Sequence, residues 1–441
     1  YAGYTENGNA TGNALSLSGI TAPGSVRAGY TLSGNASGTV TISDSTITND
    51  VYGGYTESGT ANNSSVTIID STISDSTVNE YSIGSSVYAG YTRSGESSYN
   101  QVTVSGSNTY IQGRVYGGYG SLDTSYNTVV LSEGAYVGDD VVGAHSAGDS
   151  ATSQNVLYNE VTVSSGSRVE GGLYGGVITE GLGTVQYNTV NLNNASVGYD
   201  VVGGGVLLDA QTGSVEDNHV DISASTVEGS VYGGAFDYSS GTDSGTSDSL
   251  NNTVSLSEGT VVSGSVFGGY DSGIGDVTGN SVSVSGSSRV DGDVYGGMVK
   301  GNDDSNPGSA SQNKVRIESG STVGGSVYGG WNSNGETSGN FIYVDGTVSG
   351  GVTAGYTLSG DAAGNEVLVE GGTVLEHLYG GYTALGNATG NEITVKGGTV
   401  NAEMVGGYDD GTATNNTVTL YDSARFTGSD IYGGRSGGSS S

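Results

Sequence analysis

The 441-residue chain contains no cysteine, so neither a disulfide nor a thiolate-bound metal can hold it together. Proline occurs only twice, and no stretch is long and apolar enough to read as a membrane span or signal peptide. Basic residues are scarce: 11 Lys and Arg against 45 Asp and Glu leave a formal charge of −34. Phosphate backbones and anionic lipid repel such a chain, so nucleic acid and direct membrane insertion of this segment are not expected. No window carries helical periodicity. High glycine with high charge is also the composition of disorder, but Val, Ile and Leu recur periodically here, which argues for a folded chain.

What the chain has instead is repetition. Val51-Tyr52-Gly53-Gly54-Tyr55 returns at 115–119, 266–270, 327–331 and 378–382 with small changes. Taking the second small residue of each Gly-Gly or Ala-Gly pair as a marker gives sixteen units at a mean step of about 29 residues. Ala144 is the one marker that is not glycine. After the marker comes Asn-x-φ-x-φ, where φ is Val, Ile or Leu, as in 127–131, 280–284 and 391–395. Alternation of apolar and polar residues is the period of a strand with one buried face. A lone apolar residue (Val169, Val290, Val323) follows, then the Val or Leu of the next unit.

Each repeat thus supplies about three strands too short to bury a core alone, which stacking of coil on coil would complete. The expected fold is all-β: a right-handed parallel β-helix of about fifteen coils, a rod of roughly 70 Å. It spans 1–434 as a single repeat domain, with 435–441 read as a Gly/Ser-rich tail. The first ring of each aromatic unit should stand outside and stack on its counterpart one coil away, with Tyr52, Tyr116, Tyr295 and Tyr328 as members. The strand-start asparagines, among them Asn127, Asn280, Asn365 and Asn391, should form a second ladder. Glycine at the marker reads as a requirement for positive φ or a sharp bend.

Uniform positions describe a scaffold, so binding is expected where repeats differ. Five repeats carry a longer segment between marker and asparagine, beginning at Ala144, Gly176, Gly204, Gly234 and Gly297. The shorter segments all have an aromatic residue just after the marker, which we expect to pack beneath the loop. The long ones have His145, Val177, Gly205, Ala235 and Met298 there. Insertions on one side of a solenoid are often its binding face. The candidate binding residues are His145, Val156, Leu157, Leu207, Leu208, Phe236, Tyr238, Met298, Asp303 and Asp304.

No catalytic, cofactor or metal site is expected. The basic residues are scattered, and His145, His219 and His377 lie too far apart in the repeats to make a metal site. The acidic run at 302–308 fits weak calcium binding in composition only, without EF-hand spacing.

The alternation of [VL]YGG[YW] with the pattern at 364–374, Gly-Asn-Glu-Val-Leu-Val-Glu-Gly-Gly-Thr-Val, resembles the passenger domains of bacterial autotransporters and related β-helical surface adhesins. The resemblance covers 1–434. It implies export to an extracellular bacterial cell surface and a role in adhesion or aggregation, with a host or neighbouring-cell surface glycan or protein as partner. The leading expectation is a non-enzymatic extracellular rod for adhesion or fibre formation. Two alternatives stay open: a carbohydrate-active, polysaccharide-degrading β-helix enzyme, and a regular-surface binder of ice or mineral, against which the uneven loops argue.

The chain opens in mid-repeat at Tyr1 and reaches the same motif again at Gly434, so it reads as an excised segment or a filament subunit. Head-to-tail pairing of such ends does not close on itself, and negative charge opposes it until salt screens it. Sedimentation should therefore show concentration-dependent association that strengthens with ionic strength; a monomer at high concentration and high salt would remove the filament version.

Overall fold

The computed structural model describes residues 1–75, 84–148, 152–207, 213–237, 247–301 and 308–437. Among them every regular element is a β-strand, and strands pair in parallel with the equivalent strand one coil away. The chain divides into two compact units, Tyr1–Gly213 and Ser214–Ser441, each a parallel β-solenoid on the same plan.

One coil of the second unit shows the plan. Val294–Val299 lies on what we call the aromatic face, Ala310–Ser311 on the bridging face, Lys314–Ile317 on the asparagine face and Thr322–Val323 on the narrow face. In the first unit Leu173–Glu180, Leu182–Gln186, Thr189–Asn193 and Ser196–Val197 repeat it. The aromatic, asparagine and narrow faces contain sixteen, fifteen and fifteen strands, the three expected from periodicity. The bridging face, with ten strands, was not expected. Several of its strands are two residues long, such as Val277–Thr278, too short to register as alternation. The last aromatic-face strand runs to Ser436, two residues into the stretch read as a tail.

The register is in phase, so each inward residue meets its own kind. Val282 pairs with Val315 and Val284 with Ile317, and all four are buried. Val51, Val87 and Val115 line the aromatic face, and Ile73, Ile111 and Val137 the narrow one, all fully buried. Each such side chain contributes about 1.5–3 kcal/mol.

The glycine pair has a different cause from the one expected. Gly54, Gly90, Gly118, Gly297 and Gly330 have no positive φ. Instead, a Cβ on Gly118 would lie 2.6 Å from Nδ2 of Asn127, and one on Gly330 would lie 2.5 Å from Nδ2 of Asn340. The first glycine turns the same way, but backbone is its nearest neighbour: a Cβ on Gly117 would lie 2.4 Å from the Gly143 carbonyl oxygen of the next coil and 3.0 Å from the Asn127 Cβ. Both glycines face the asparagine, so the pleat is broken and residues i and i+3 stand on the same outer side. A regular strand would separate them. Tyr52 and Tyr55 accordingly meet edge to face, their centroids 5.1 Å apart.

The asparagine that fills this space is fully bonded. Asn280 Nδ2 donates to the Ser249 carbonyl of the preceding coil at 2.8 Å and to Asn313 Oδ1 of the next at 3.1 Å. Its own Oδ1 accepts from the Asn252 backbone N–H at 2.8 Å and from Asn252 Nδ2 at 3.1 Å. That uses two donors and two acceptor positions, the amide's whole capacity. In the second unit the ladder runs from Asn218 through Asn365 and Asn391 to Asn416. In the first it runs from Asn100 through Asn127 and Asn159 to Asn188.

A Gly330→Ala variant should therefore displace Asn340 and leave buried amide groups unpaired, at about 1–3 kcal/mol. Guanidinium denaturation of the purified chain measures this; an unchanged midpoint would show that the glycine is not there for the asparagine.

Candidate functional site

The long segments connect the aromatic face to the bridging face. How a coil handles this corner depends on the residue two after the marker, which points inward. Where the segment is short, that residue is mostly a threonine, aspartate or asparagine that ties the loop. Thr56 Oγ1 donates to the Gly34 carbonyl at 2.9 Å, Thr383 Oγ1 to Gly360 at 2.7 Å and Asn332 Nδ2 to Gly308 at 2.7 Å. Asp271 accepts from the Gly273 and Gly275 amides. Where the segment is long, the residue is apolar and buried: Ile178, Val206, Phe236 and Val299. Ser146 is the exception, held by the Leu122 carbonyl at 2.8 Å.

This corrects the expected packing of a ring beneath each short loop. The ring after the marker stands outside in a column of its own, with Tyr55 on Tyr91 at 4.9 Å, Tyr91 on Tyr119 at 5.1 Å and Tyr356 on Tyr382 at 4.9 Å. The ring before the glycines forms the expected ladder: Tyr52 on Tyr88 at 5.0 Å, Tyr88 on Tyr116 at 4.9 Å and Tyr295 on Tyr328 at 5.0 Å. It is less open than expected. Tyr52 and Tyr116 are buried by the second column, and burial pushes the Tyr116 phenol up to about 12. Arg27 replaces a ring in this ladder and lies within 4.9–5.5 Å of Tyr1, Tyr30, Tyr52 and Tyr55.

The candidate binding residues separate into three groups. Val156 and Phe236 are core residues, 0% and 3% exposed, because strand alternation turns them inward; they cannot meet a ligand. His145 and Met298 belong to the second aromatic column, paired with Tyr119 and with Tyr270 and Trp331. Leu157 is half-buried on the bridging face. Leu208, Tyr238, Asp303 and Asp304 lie outside the described residues, as does the Leu207 side chain. The segment after Gly176 is no loop at all. Its extra length goes into two strands joined at Gly181, whose φ of 108° only glycine adopts easily.

A further feature was missed at the sequence level. The residue before each ladder asparagine is left-handed, to turn the chain from the bridging to the asparagine face. Gly279, Gly339, Gly364 and Gly390 take this conformation without strain. Four consecutive coils of the first unit use tyrosine instead: Tyr99, Tyr126, Tyr158 and Tyr187, at φ of 55–59°. Their rings form a stack, with centroids 4.8, 5.1 and 4.8 Å apart and planes within 15°. They are 57%, 46%, 47% and 41% exposed. A left-handed bulky residue costs about 1–2 kcal/mol, whereas each stacked pair returns about 0.5–1.5 kcal/mol. Four strained residues thus outweigh three contacts, and stability alone does not account for the column. The Tyr-Asn dipeptide recurring in four successive repeats was the available signal.

In the second unit a shallow groove of about 400 Å³ on the bridging face is lined by Asp276, Ser309, Asn334, Glu336 and Asp361. Asp276 accepts hydrogen bonds from the Ser309 amide and hydroxyl, and Asp361 from Asn387. Among the described residues no three Asp, Glu or His side chains converge as a metal site, and no helix is long and apolar enough to cross a membrane. Compared with known proteins, the chain matches no family model, no curated protein and no solved structure.

His145 offers a readout of the aromatic columns. Burial, with the Arg114 cation as a smaller cause, lowers its pKa to about 4. The unfolded imidazole titrates near 6.5. Folding therefore binds the neutral form, and its contribution is present above pH 6.5 and lost as pH falls toward 4. A His145→Tyr variant, which restores the column, should lose less melting temperature than wild type between pH 6.5 and 4; parallel curves would place the histidine in water.

Proposed function

We propose that the chain is a non-enzymatic extracellular solenoid that displays binding surfaces for adhesion or fibre formation at a bacterial cell surface. The observation that supports this is the division of labour among the faces. Asparagine, glycine and aliphatic ladders repeat in nearly every coil, while variation gathers along the borders of the bridging face. A scaffold that is uniform through its core and variable along one edge suits display. The partner is a surface glycan or protein of a host or neighbouring cell. The acidic chain disfavours nucleic acid.

A second reading, a polysaccharide-degrading enzyme, draws on the groove of Asp276, Glu336 and Asp361. Carboxylates are the working groups of glycoside hydrolysis. A binding screen over glycans and matrix proteins, with release of reducing ends followed in parallel, separates the two. Binding without turnover is the expected result, and turnover abolished by Asp361→Asn would favour the enzyme.

The long segments can be tested by rebuilding one as a short one. Shortening 237–251 to the length of the short class, with Ala235→Tyr and Phe236→Thr, supplies both the outer ring and the inner hydroxyl that short coils use. The variant should keep wild-type melting and lose adhesion; adhesion at the wild-type level would make these segments tolerated drift.

A further inference from the structure

The stacked column of Tyr99, Tyr126, Tyr158 and Tyr187 lies where the bridging face meets the asparagine face, on the other border from the corner at which the long segments begin, and no ladder of the core requires it. We propose that it is a binding strip for an extended, uncharged polysaccharide running along the solenoid axis.

Ring geometry is the first support. Parallel rings in contact lie about 3.5–4.0 Å apart, yet these centroids are 4.8–5.1 Å apart. The rings are therefore slid past one another, and each leaves a strip of its face and its outer edge to solvent. The result is a staircase of phenol rings, four steps long, fixed by the β-ladder beneath it. Its step is close to the length of one pyranose unit in an extended, equatorially linked glycan. The apolar C–H faces of such sugars pack on aromatic rings, as other apolar surfaces do. A ligand of matching period can meet every ring at once.

The fringe is the second support. In the first outward position beyond the asparagines stand Gln101, Thr128, Glu160 and Thr189, and on the other side Leu157 and Gln186 precede their tyrosines. Amides and hydroxyls predominate, and they suit sugar hydroxyls. The one carboxylate, Glu160, already accepts from Asn191 Nδ2 at 3.2 Å. On a chain of charge −34 a neutral polymer avoids the repulsion that a polyanion meets. A second copy of this chain would meet the same repulsion.

The strain is the third. The backbone at these positions is served mostly by glycine or asparagine in other coils, as at Gly339, Gly364, Asn251 and Asn415, and by Asp217 and Gln312 in one coil each. Strained residues held against a cheaper alternative gather at functional sites. The inference goes beyond the adhesion reading, because the strip uses only the asparagine end of each segment, long or short, and would bind whether or not the added residues of the long ones do.

The test uses the whole chain with cellohexaose, xylohexaose and chitohexaose as neutral probes and hexagalacturonate as the anionic comparator, followed by calorimetry. Wild type should bind at least one neutral probe and bind hexagalacturonate more weakly. Tyr126→Gly with Tyr158→Gly relieves strain at two positions and breaks the three ring contacts, which offset each other, so it should melt close to wild type while binding falls about tenfold or more. If that pair folds poorly, Tyr126→Asn with Tyr158→Asn replaces it, since asparagine serves other coils there. Tyr126→Phe with Tyr158→Phe keeps the rings and should keep most of the affinity. No binding by wild type, stronger binding of the anionic probe, or equal binding by the ring-deleted variant would each overturn the proposal. So would tyrosine-dependent dimerisation in sedimentation without sugar binding.

Discussion

The buried asparagine column is the interaction on which the rest of the solenoid depends. An amide held away from water must have its hydrogen bonds made, and here each side chain bonds to the coil before and the coil after. That requirement reinforces the spacing and register that the parallel backbone ladder provides. Together with nearby backbone carbonyls the amide leaves room for no more than a small side chain on the facing strand, which is why a pair of glycine or alanine recurs. The pair in turn breaks the pleat and puts the two flanking rings on the same outer surface. One polar contact therefore accounts for the core, the glycines and the tyrosines together.

Stacking like on like also decides which residues a coil can accept elsewhere. In-register parallel ladders bring identical side chains within about 5 Å, which favours rings, amides and branched aliphatics and penalises charges. Most acidic residues accordingly sit at turns and outer positions, several of them used as acceptors, and the inward Asp271 and Asp409 accept from backbone amides. Asp50 takes the Tyr52 hydroxyl and Asp293 that of Tyr295. Net negative charge then coats a molecule whose inner columns are nearly uncharged.

Much of this was legible in the chain. Val282 and Val284 show their burial by alternation, and Asn127 and Asn280 their ladder by position, because a repeat displays each structural requirement many times over. The candidate site was much less legible. Val156 and Phe236 look like loop residues amid polar neighbours, yet they are core: Phe236 ends an aromatic-face strand beyond its glycine pair, and Val156 lies on a bridging-face strand that most repeats lack the length to show. Tyr158 looks like one tyrosine among 30, yet its backbone conformation distinguishes it. Loop length correlated with the ring after the marker, but the side chain that ties or fills the corner is its inward neighbour. Two adjacent residues covary in such coils, and linear order does not say which one faces the loop.

The sequence by itself determined the class of fold, the repeat length, the three main ladders and the apolar core positions. These follow from local period and from the need of short strands to pair with their own equivalents. Only the tertiary structure decided which way each residue faces around the glycine pair, which coils gain a fourth strand, and that Tyr99, Tyr126, Tyr158 and Tyr187 form one surface. Those outcomes depend on contacts between residues about a coil apart. A broken pleat or a left-handed turn reverses the side on which a residue emerges, and no local alternation records that reversal.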